Sequence, residues 1–316
     1  MDILCCGLAV ADILAYYVDE RALRQDSLIL EDLRYEAGGD ALNAAVNLAK
    51  LGIGVKLCAA VGNDASGDFL RRRAGGFGVD ISGIKNISDT GTATSLVLCR
   101  HDGQRHFLYS PGVNNFFSPE MIDNGDLKSA EMLYIGSAMA LPGLEGRALA
   151  GLFKKAQSYG VLTVMDCTFD SENIWYGKIK DALPFTDIFF PSLTEAERIT
   201  GETEPEAMAQ FMKNCGVKIF GVKLGSAGVY CTDYKDEYYL DAYYCSEKDL
   251  VDTTGAGDAF IGGFLACFVR GEGLLKSAVF GSAVSNFCIR SAGASGACFD
   301  YDTVVDFIKK QPDIRK

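Results

Sequence analysis

The chain has 316 residues, 48% of them hydrophobic and 23% charged, an ordinary composition for a soluble protein with a well-buried core. Lys and Arg total 30 against 42 Asp and Glu, and the net charge of −12 argues against nucleic acid or an anionic membrane as a partner. No apolar run is long enough to span a membrane.

The cysteines and histidines argue against other kinds of site. The 11 cysteines are scattered and most stand in apolar runs, so we expect core residues of a protein in a reducing compartment, the cytoplasm. The two histidines give little basis for a His-rich zinc site or a Ser-His-Asp triad. Residues 1–10 lack a basic segment before their apolar run, which favours a buried strand over a signal peptide.

The first predicted strand covers residues 2–9, and Asp12 follows just past its end. In open α/β sheets, ligands bind beyond the carboxyl ends of the strands, so Asp12 is well placed to bind a polar substrate. On position alone, an ordinary loop acid is a close alternative.

A glycine pair then precedes a strong helical pattern. Apolar residues at helical spacing follow Gly38 and Gly39, and they predict a helix that Asp40 caps and Gly52 ends. Asn43 lies in the first turn, where its amide could donate to and accept from sugar hydroxyls. Taken alone, Asn43 would more often be a cap or a surface residue.

Two regions outside this pattern predict a small separate sheet. Residues 13–36 contain short alternating segments without a strong helix, and residues 92–100 and 105–110 alternate around the turn 101–104. Alternation on both sides of a short polar turn is a hairpin signal.

From residue 131 the pattern becomes regular. Strand candidates at 131–135, 161–166 and 186–190 alternate with helix candidates at 142–158 and 193–200, as in a doubly wound parallel sheet. Asp166 ends one of these strands on the side expected to face the ligand crevice. Ser192 and Glu195 open the last helix with the spacing of a capping box.

A further strand at 217–222 leads into a glycine-rich turn at 223–228. Lys223, Gly225 and Gly228 lie in this turn, before the strand 229–232. Lys223 could pair with phosphates there, although a lone Lys beside a turn is more often solvated.

The most informative segment runs from Asp252 to Phe260, Asp-Thr-Thr-Gly-Ala-Gly-Asp-Ala-Phe. Small residues before an apolar run predict a tight loop that opens into a buried helix, whose free first-turn amides and dipole attract anions. Asp258 stands inside this anion site, where it can accept a proton from a hydroxyl that attacks a bound phosphate. It should stay ionised at a helix N-terminus, as a weak base. A loop with a capping Asp is the alternative; the pattern favours a small-molecule kinase.

Residues 252–260 resemble the C-terminal signature of the ribokinase-like (PfkB) carbohydrate kinases, and residues 38–52 resemble the N-terminal signature. The resemblance extends from Gly7 to Gly293. It implies one α/β domain over 1–316, a three-layer α/β/α arrangement with a mostly parallel central sheet. The resemblance also implies a small β-sheet lid, inserted at about 13–36 and 92–110, and a homodimer formed through this lid.

The resemblance also implies roles for individual residues toward ATP, Mg²⁺ and a sugar. For catalysis it implies Asp258 as general base, with an anion hole from the backbone of Gly255, Ala256 and Gly257. For sugar binding it implies Asp12, Gly38, Gly39, Asn43 and Arg105. For the nucleotide it implies Lys223, Gly225, Gly228 and Ser282. For metals it implies Glu195 toward Mg²⁺ through water, and Asp252 and Thr254 toward a monovalent cation such as K⁺.

The sequence departs from the family pattern at two positions, and the first of them, Val10, puts specificity for ribose in doubt. Val10 stands where ribokinases proper have an Asn, and Ser192 replaces the Asn of the family's Asn-x-x-Glu motif. A nucleoside kinase of the same fold is the first alternative to a sugar kinase, since Tyr16, Tyr17 and Tyr109 could stack on a base. The second is a sugar-binding regulator without catalytic activity.

Overall fold

The computed structural model describes residues 1–100 and 105–316, so the predicted turn at 101–104 lies outside the described residues. The strands are β1 Ile3–Gly7, β2 Val10–Tyr16, β3 Asp32–Gly38, β4 Val55–Cys58, β5 Ala60–Gly62, β6 Lys85–Ile87, β7 Thr94–Cys99, β8 Arg105–Ser110, β9 Met132–Gly136, β10 Leu162–Met165, β11 Ile188–Phe189, β12 Ile219–Lys223, β13 Val229–Thr232 and β14 Glu237–Leu240. The helices are α1 Asp40–Lys50, α2 Ala65–Gly76, α3 Asn124–Ser129, α4 Gly146–Ser158, α5 Tyr176–Ile179, α6 Leu193–Thr200, α7 Pro205–Asn214, α8 Ala256–Phe268, α9 Leu274–Cys288 and α10 Tyr301–Lys310.

Eight strands form the main sheet in the order β14-β13-β12-β11-β10-β9-β1-β4. The pairs from β4 through β12 are parallel, and β13 and β14 add an antiparallel edge. The predicted alternation of strands and helices from residue 131 produces this sheet, because each parallel connection needs a crossover helix.

The core lies in two layers, one on each face of the main sheet. Along β1, Ile3 and Cys5 pack into one layer while Leu4 and Cys6 pack into the other, as the alternation of side chains along a strand requires. Helices α1, α2, α8, α9 and α10 cover the first face, and α3 to α7 cover the second. The predicted three-layer arrangement is therefore confirmed.

A second sheet of four strands, in the order β3-β2-β7-β8, forms what we call the lid. The predicted hairpin is confirmed, because β7 and β8 pair antiparallel from Thr94 opposite Ser110 to Cys99 opposite Arg105. The chain turns from β1 directly into β2, so Asp12 lies within a lid strand and not in the loop that the sequence indicated.

Helix boundaries correct a second expectation. The residue that caps α1 is Gly39, whose φ of 92° favours glycine, and Asp40 is already helical. The Asp40 carboxylate instead accepts a hydrogen bond from the Ser137 hydroxyl. The capping box of α6 is present as predicted, with Ser192 and Glu195 in both reciprocal bonds.

The cysteines and the helices agree with the expectations from composition. All 11 cysteines are free and eight of them are buried, so they serve as small core residues. Among the helices of the described ranges, none combines the length and apolar character needed to cross a lipid bilayer.

Candidate active site

Two helix N-termini, distant in sequence, meet at the centre of the site. In the first turn of α1, Asn43 donates from Nδ2 to Oδ2 of Asp258 in the first turn of α8, over 2.8 Å. The helices approach closely because Gly262 of α8 has no side chain: a Cβ there would stand 3.0 Å from Cβ of Asn47. The glycine behind the signature thus allows the contact.

The loop before α8 has the shape expected of an anion site. Gly255 is the N-cap residue with a φ of 74°, and a Cβ at that position would overlap Ala294. No side chain caps the helix. The N–H of Ala256 donates to the carbonyl of Thr253 over 3.3 Å, which leaves the N–H groups of Gly255, Gly257 and Asp258 for an external acceptor. The predicted anion hole therefore lies directly beside the Asp258 carboxylate.

Burial changes the acidity of Asp258. It raises the pKa of Asp258 to about 6, and the negative charges of Asp166 and Glu195 act in the same direction. The Asn43 amide and the Lys223 ammonium group oppose this rise by stabilising the ionised form. Asp258 is still mostly ionised at neutral pH, but it is a stronger base than a helix N-terminus alone would make it.

Lys223 brings positive charge to the same place. Its Nζ atom lies 2.6 Å from Oδ2 of Asp166 and 3.4 Å from the position of a Cβ on Gly257. Burial raises the pKa of Asp166 to about 7, although the Lys223 charge acts against it. An ammonium group beside the α8 amides suits a polyphosphate.

A cluster of three side chains offers possible metal ligands next to Lys223. The ligand atoms of Asp166, Cys167 and Glu195 all lie within 4.8 Å of one another. Mg²⁺ takes oxygen ligands, which the two carboxylates supply. Burial raises the pKa of the Cys167 thiol well above its ordinary value, so Cys167 is a protonated neighbour and not a magnesium ligand. The two carboxylates fit a magnesium site.

The glycine pair before α1 holds Asp12 in place. A Cβ at Gly38 would overlap the Asp12 carboxylate, and one at Gly39 would overlap the carbonyl of Leu8. Burial raises the pKa of Asp12 to about 7, and the nearby charges of Asp40 and Glu36 add to the rise. Only glycines leave room here for the half-buried Asp12 carboxylate.

Arg105 connects the lid with the loop before α8. Its Nη2 atom lies 2.7 Å from Oδ1 of Asp252, and both side chains are largely buried. Oδ1 of Asp252 also accepts from the N–H of Thr254, and Oδ2 accepts from the N–H of Gly293. Of the two residues expected at a cation site, Asp252 is thus already paired with a positive charge from the lid.

The remaining nucleotide candidates lie around α9 and the turn after β12. Gly225 and Gly228 have φ values of 62° and 99°, and a Cβ at Gly228 would overlap the carbonyl of Leu240. Ser282 donates its hydroxyl to the carbonyl of Ala278 in its own helix. Gly225 and Gly228 therefore shape the turn after β12, whereas the Ser282 side chain bonds within α9.

Further polar groups lie in this part of the site, and one of them, Asn114, belongs to no motif of the sequence. Burial, together with the charge of Asp258, raises the pKa of Asp40 to about 8. Asn114 donates to the hydroxyl of Tyr109 over 3.2 Å. Oδ1 of Asn43 and of Asn114 are buried and have no hydrogen-bond partner among the described residues. Both atoms are free to accept from a ligand hydroxyl.

The chain is similar in sequence to known carbohydrate and nucleoside kinases. The profile of the pfkB family of carbohydrate kinases matches residues 2–300. An ATP-dependent 6-phosphofructokinase of Thermoanaerobacterium thermosaccharolyticum is 28% identical over 88% of this chain and 85% of its own length. A nucleoside kinase of Methanothermobacter thermautotrophicus is 27% identical over 92% of this chain and 90% of its own length.

The chain is also similar to a solved structure of the same kind of enzyme. Arabidopsis thaliana ribokinase complexed with ribose and ATP has a TM-score of 0.83 and 26% identity, with 98% of each chain covered. The names of these three proteins give three kinds of acceptor at nearly equal identity. Overall similarity therefore does not select the acceptor of this chain, and the residues of the site must.

Proposed function

Because this chain belongs to the pfkB family of carbohydrate kinases and is a phosphotransferase, we propose that it transfers the γ-phosphate of ATP to a hydroxyl group of a small carbohydrate. The predictions of a ribokinase-like fold and of kinase chemistry are confirmed. The observation that carries the proposal is the half-buried Asp258 carboxylate, held by Asn43 beside the α8 N-terminus, which has no side-chain cap.

In the proposed reaction the sugar hydroxyl oxygen forms a bond to the γ-phosphorus as the bond from that phosphorus to the β–γ bridging oxygen breaks. ADP leaves, and the hydroxyl proton passes to the Asp258 carboxylate. The backbone amides of residues 255–258 stabilise the charge on the transferred group. Asn43 holds the carboxylate that receives the proton.

Lys223 and the turn after it serve the nucleotide in this proposal. The Lys223 ammonium group is close to Gly257 and so to any phosphate held by the α8 amides. Gly225, Gly228 and Ser282 then border the nucleotide, with the two glycines keeping the turn compact.

Glu195 and Asp166 would hold Mg²⁺, with Glu195 acting through water. Bound Mg²⁺ neutralises charge on the ATP phosphates. The Glu195 carboxylate accepts from the N–H of Ser192 with one oxygen and keeps lone pairs for a water ligand. Its capping and metal roles are therefore compatible.

We propose that Asp252 and Thr254 bind a monovalent cation such as K⁺, and that the Asp252 carboxylate is shared between this cation and Arg105. The Arg105 guanidinium already supplies a positive charge to the Asp252 carboxylate. The Arg105 guanidinium lies where the lid meets the loop before α8. We propose that it contacts the sugar from this position.

We also propose one kinase domain over 1–316 that acts in the cytoplasm as a homodimer through the lid. The outer face of the lid supports the dimer, because Leu33, Tyr35 and Leu108 are 52%, 51% and 58% exposed there. Large apolar side chains clustered at a surface commonly mark a protein interface.

A nucleoside kinase is the second candidate. The inner face of the lid carries Phe107, which is 58% exposed, next to Tyr109, and both rings offer a stacking surface for a base. A regulator that binds sugar without turnover is disfavoured, because the proposed base Asp258 is present and is held by Asn43 beside the α8 N-terminus.

The test is ADP release with Mg-ATP and K⁺ over a panel of pentoses, hexoses, ketoses, sugar acids, sugar phosphates and nucleosides. We expect turnover on one class, and a fall of about 10²–10⁴-fold in Asp258→Asn with little change in sugar binding. Asp302→Asn is the matched control, since Asp302 stands exposed in the first turn of α10. Near-normal turnover in purified Asp258→Asn protein would refute the base.

A further inference from the structure

A row of polar side chains crosses all four strands of the lid. Glu36 of β3 lies opposite Asp12 of β2, Asp12 lies beside Ser95 of β7, and Ser95 lies opposite Tyr109 of β8. Residues paired in this way point to the same face of a sheet. We call these four residues the acidic row.

The acidic row lies on the inner face of the lid, toward the catalytic loop. Residues of this face line a narrow cleft together with the loops at 254 and 293–294. From the lid these are Asp12, Leu14, Glu36, Val97, Arg105 and Phe107. The Glu36 carboxyl carbon lies 3.4 Å from the position of a Cβ on Gly293. A substrate between lid and catalytic loop therefore meets Glu36 and Asp12 together.

The Asp12 and Glu36 carboxylates lie directly opposite each other on the sheet and therefore repel. The nearest arginines of the lid form ion pairs with other carboxylates. Arg105 pairs with Asp252 at 2.7 Å, and Arg34 pairs with Asp32 at 2.7 Å. Arg73 approaches Glu36 from α2 only to 4.0 Å. The row thus keeps a negative character that would repel an anionic group.

Two side-chain amides of the site, those of Asn43 and Asn114, each keep an acceptor without a partner among the described residues. Both Oδ1 atoms are buried, and the amide of Asn114 is committed to the Tyr109 hydroxyl. Buried acceptors need donors. Sugar hydroxyls supply them, whereas a phosphate or a carboxylate supplies only further acceptors.

We propose that the acceptor is a polyhydroxy compound without a negative charge on the part that faces the lid, and that Glu36 excludes phosphorylated sugars and sugar acids. This rests on the proposed function and specifies its substrate class. Hydroxyls of the acceptor donate to Asp12 and Glu36 and separate the two carboxylates. In this respect the chain differs from its relative named as a 6-phosphofructokinase.

The experiment compares matched neutral and phosphorylated acceptors, such as fructose with fructose 6-phosphate and ribose with ribose 5-phosphate. Binding is measured by calorimetry without ATP, and kcat/KM by ADP release. We expect neutral members to be preferred about tenfold or more, since like charges placed together are strongly unfavourable. Equal or better use of the phosphorylated members by the wild type overturns the proposal.

Glu36→Gln tests the residue, because it removes the charge and keeps the shape. We expect the neutral-to-phosphorylated ratio to fall about tenfold, by gain on the phosphorylated member. Glu31→Gln is the control, since Glu31 is exposed just before β3 and the change in net charge is the same. An unchanged ratio in folded Glu36→Gln protein overturns the role of Glu36.

The binding arm separates this inference from the proposed function. If neutral sugars bind more tightly than their phosphorylated partners while no acceptor is turned over, the kinase proposal fails and the charge selection stands. If turnover is found only with phosphorylated acceptors, the kinase stands and the charge selection fails.

Discussion

Asp258 is subject to two opposing effects. The helix N-terminus and the Asn43 amide favour its ionised form, whereas burial and the neighbouring carboxylates disfavour it. Burial dominates and brings the pKa of Asp258 to about 6. A base whose pKa lies just below the working pH is both available and reactive, which suits proton acceptance from a hydroxyl.

We expect kcat/KM to rise with pH through about 6 and to level off above 7, because only the deprotonated Asp258 accepts a proton. The measurement is kcat/KM for the identified acceptor from pH 5 to 8 at saturating Mg-ATP. A rate that is flat from pH 5 to 7 would contradict the assignment.

Among the elements, the lid and the α8 loop are joined by the pair of Arg105 and Asp252. Asp252 also accepts from the backbone N–H groups of Thr254 and Gly293, so Arg105 is connected through it to the loop that we propose as the anion hole. The buried Asp252 carboxylate thus links the lid to the loop before α8.

We expect Arg105→Gln to make turnover depend more strongly on K⁺, because the Asp252 carboxylate loses its resident cation. The wild type should show the weaker dependence over a K⁺ titration at constant ionic strength. Arg34→Gln is the control, since Arg34 pairs with Asp32 on the same sheet. The same K⁺ dependence in Arg105→Gln and wild type would contradict this.

The packing of α8 on α9 depends on small residues. A Cβ at Gly263 would stand 2.7 Å from Cγ2 of Val284, so the two helices would have to separate. In contrast, Gly151 lies exposed inside α4, and a Cβ there would meet nothing within 4 Å.

We expect Gly263→Ala to lower the free energy of unfolding by about 1–3 kcal/mol through overpacking. Gly151→Ala should instead raise it by about 0.5–1 kcal/mol, because alanine favours the helix. Urea unfolding followed by circular dichroism measures both. If Gly263→Ala proved as stable as Gly151→Ala, the close packing at α8 and α9 would be wrong.

Grouping four carboxylates in one site affects the stability of the whole molecule. The pKa values of Asp258, Asp12, Asp166 and Asp40 are raised to about 6, 7, 7 and 8, mainly by burial. Between pH 4 and 8 the folded protein therefore binds more protons than the unfolded chain, and its stability falls as pH rises.

We expect the unliganded protein to melt a few degrees higher at pH 6 than at pH 8, measured by calorimetry at constant ionic strength. Below pH 8 the excess negative charge of the chain acts in the same direction. Asp12→Asn should reduce the difference, because it removes one of the raised groups. A higher melting temperature at pH 8 would contradict the raised pKa values.

Local patterns were enough to predict most of the fold. Strand and helix periodicity from residue 131 onward predicted the parallel sheet, and α6 and β13 occupy the predicted residues. The signature at 252–260 predicted a loop opening into a buried helix, which is α8. Such patterns are readable because the backbone repeat and the burial of alternate or periodic side chains are local properties of the chain.

The tertiary structure alone decided which polar groups meet. Asn43 reaches Asp258 across 215 positions of sequence, and Lys223 reaches Asp166 across 57. It also moved Asp12 from an expected loop into a lid strand opposite Glu36. These distances and the raised pKa values follow from how helices and sheets pack and exclude water, and no repeat along the chain encodes that packing.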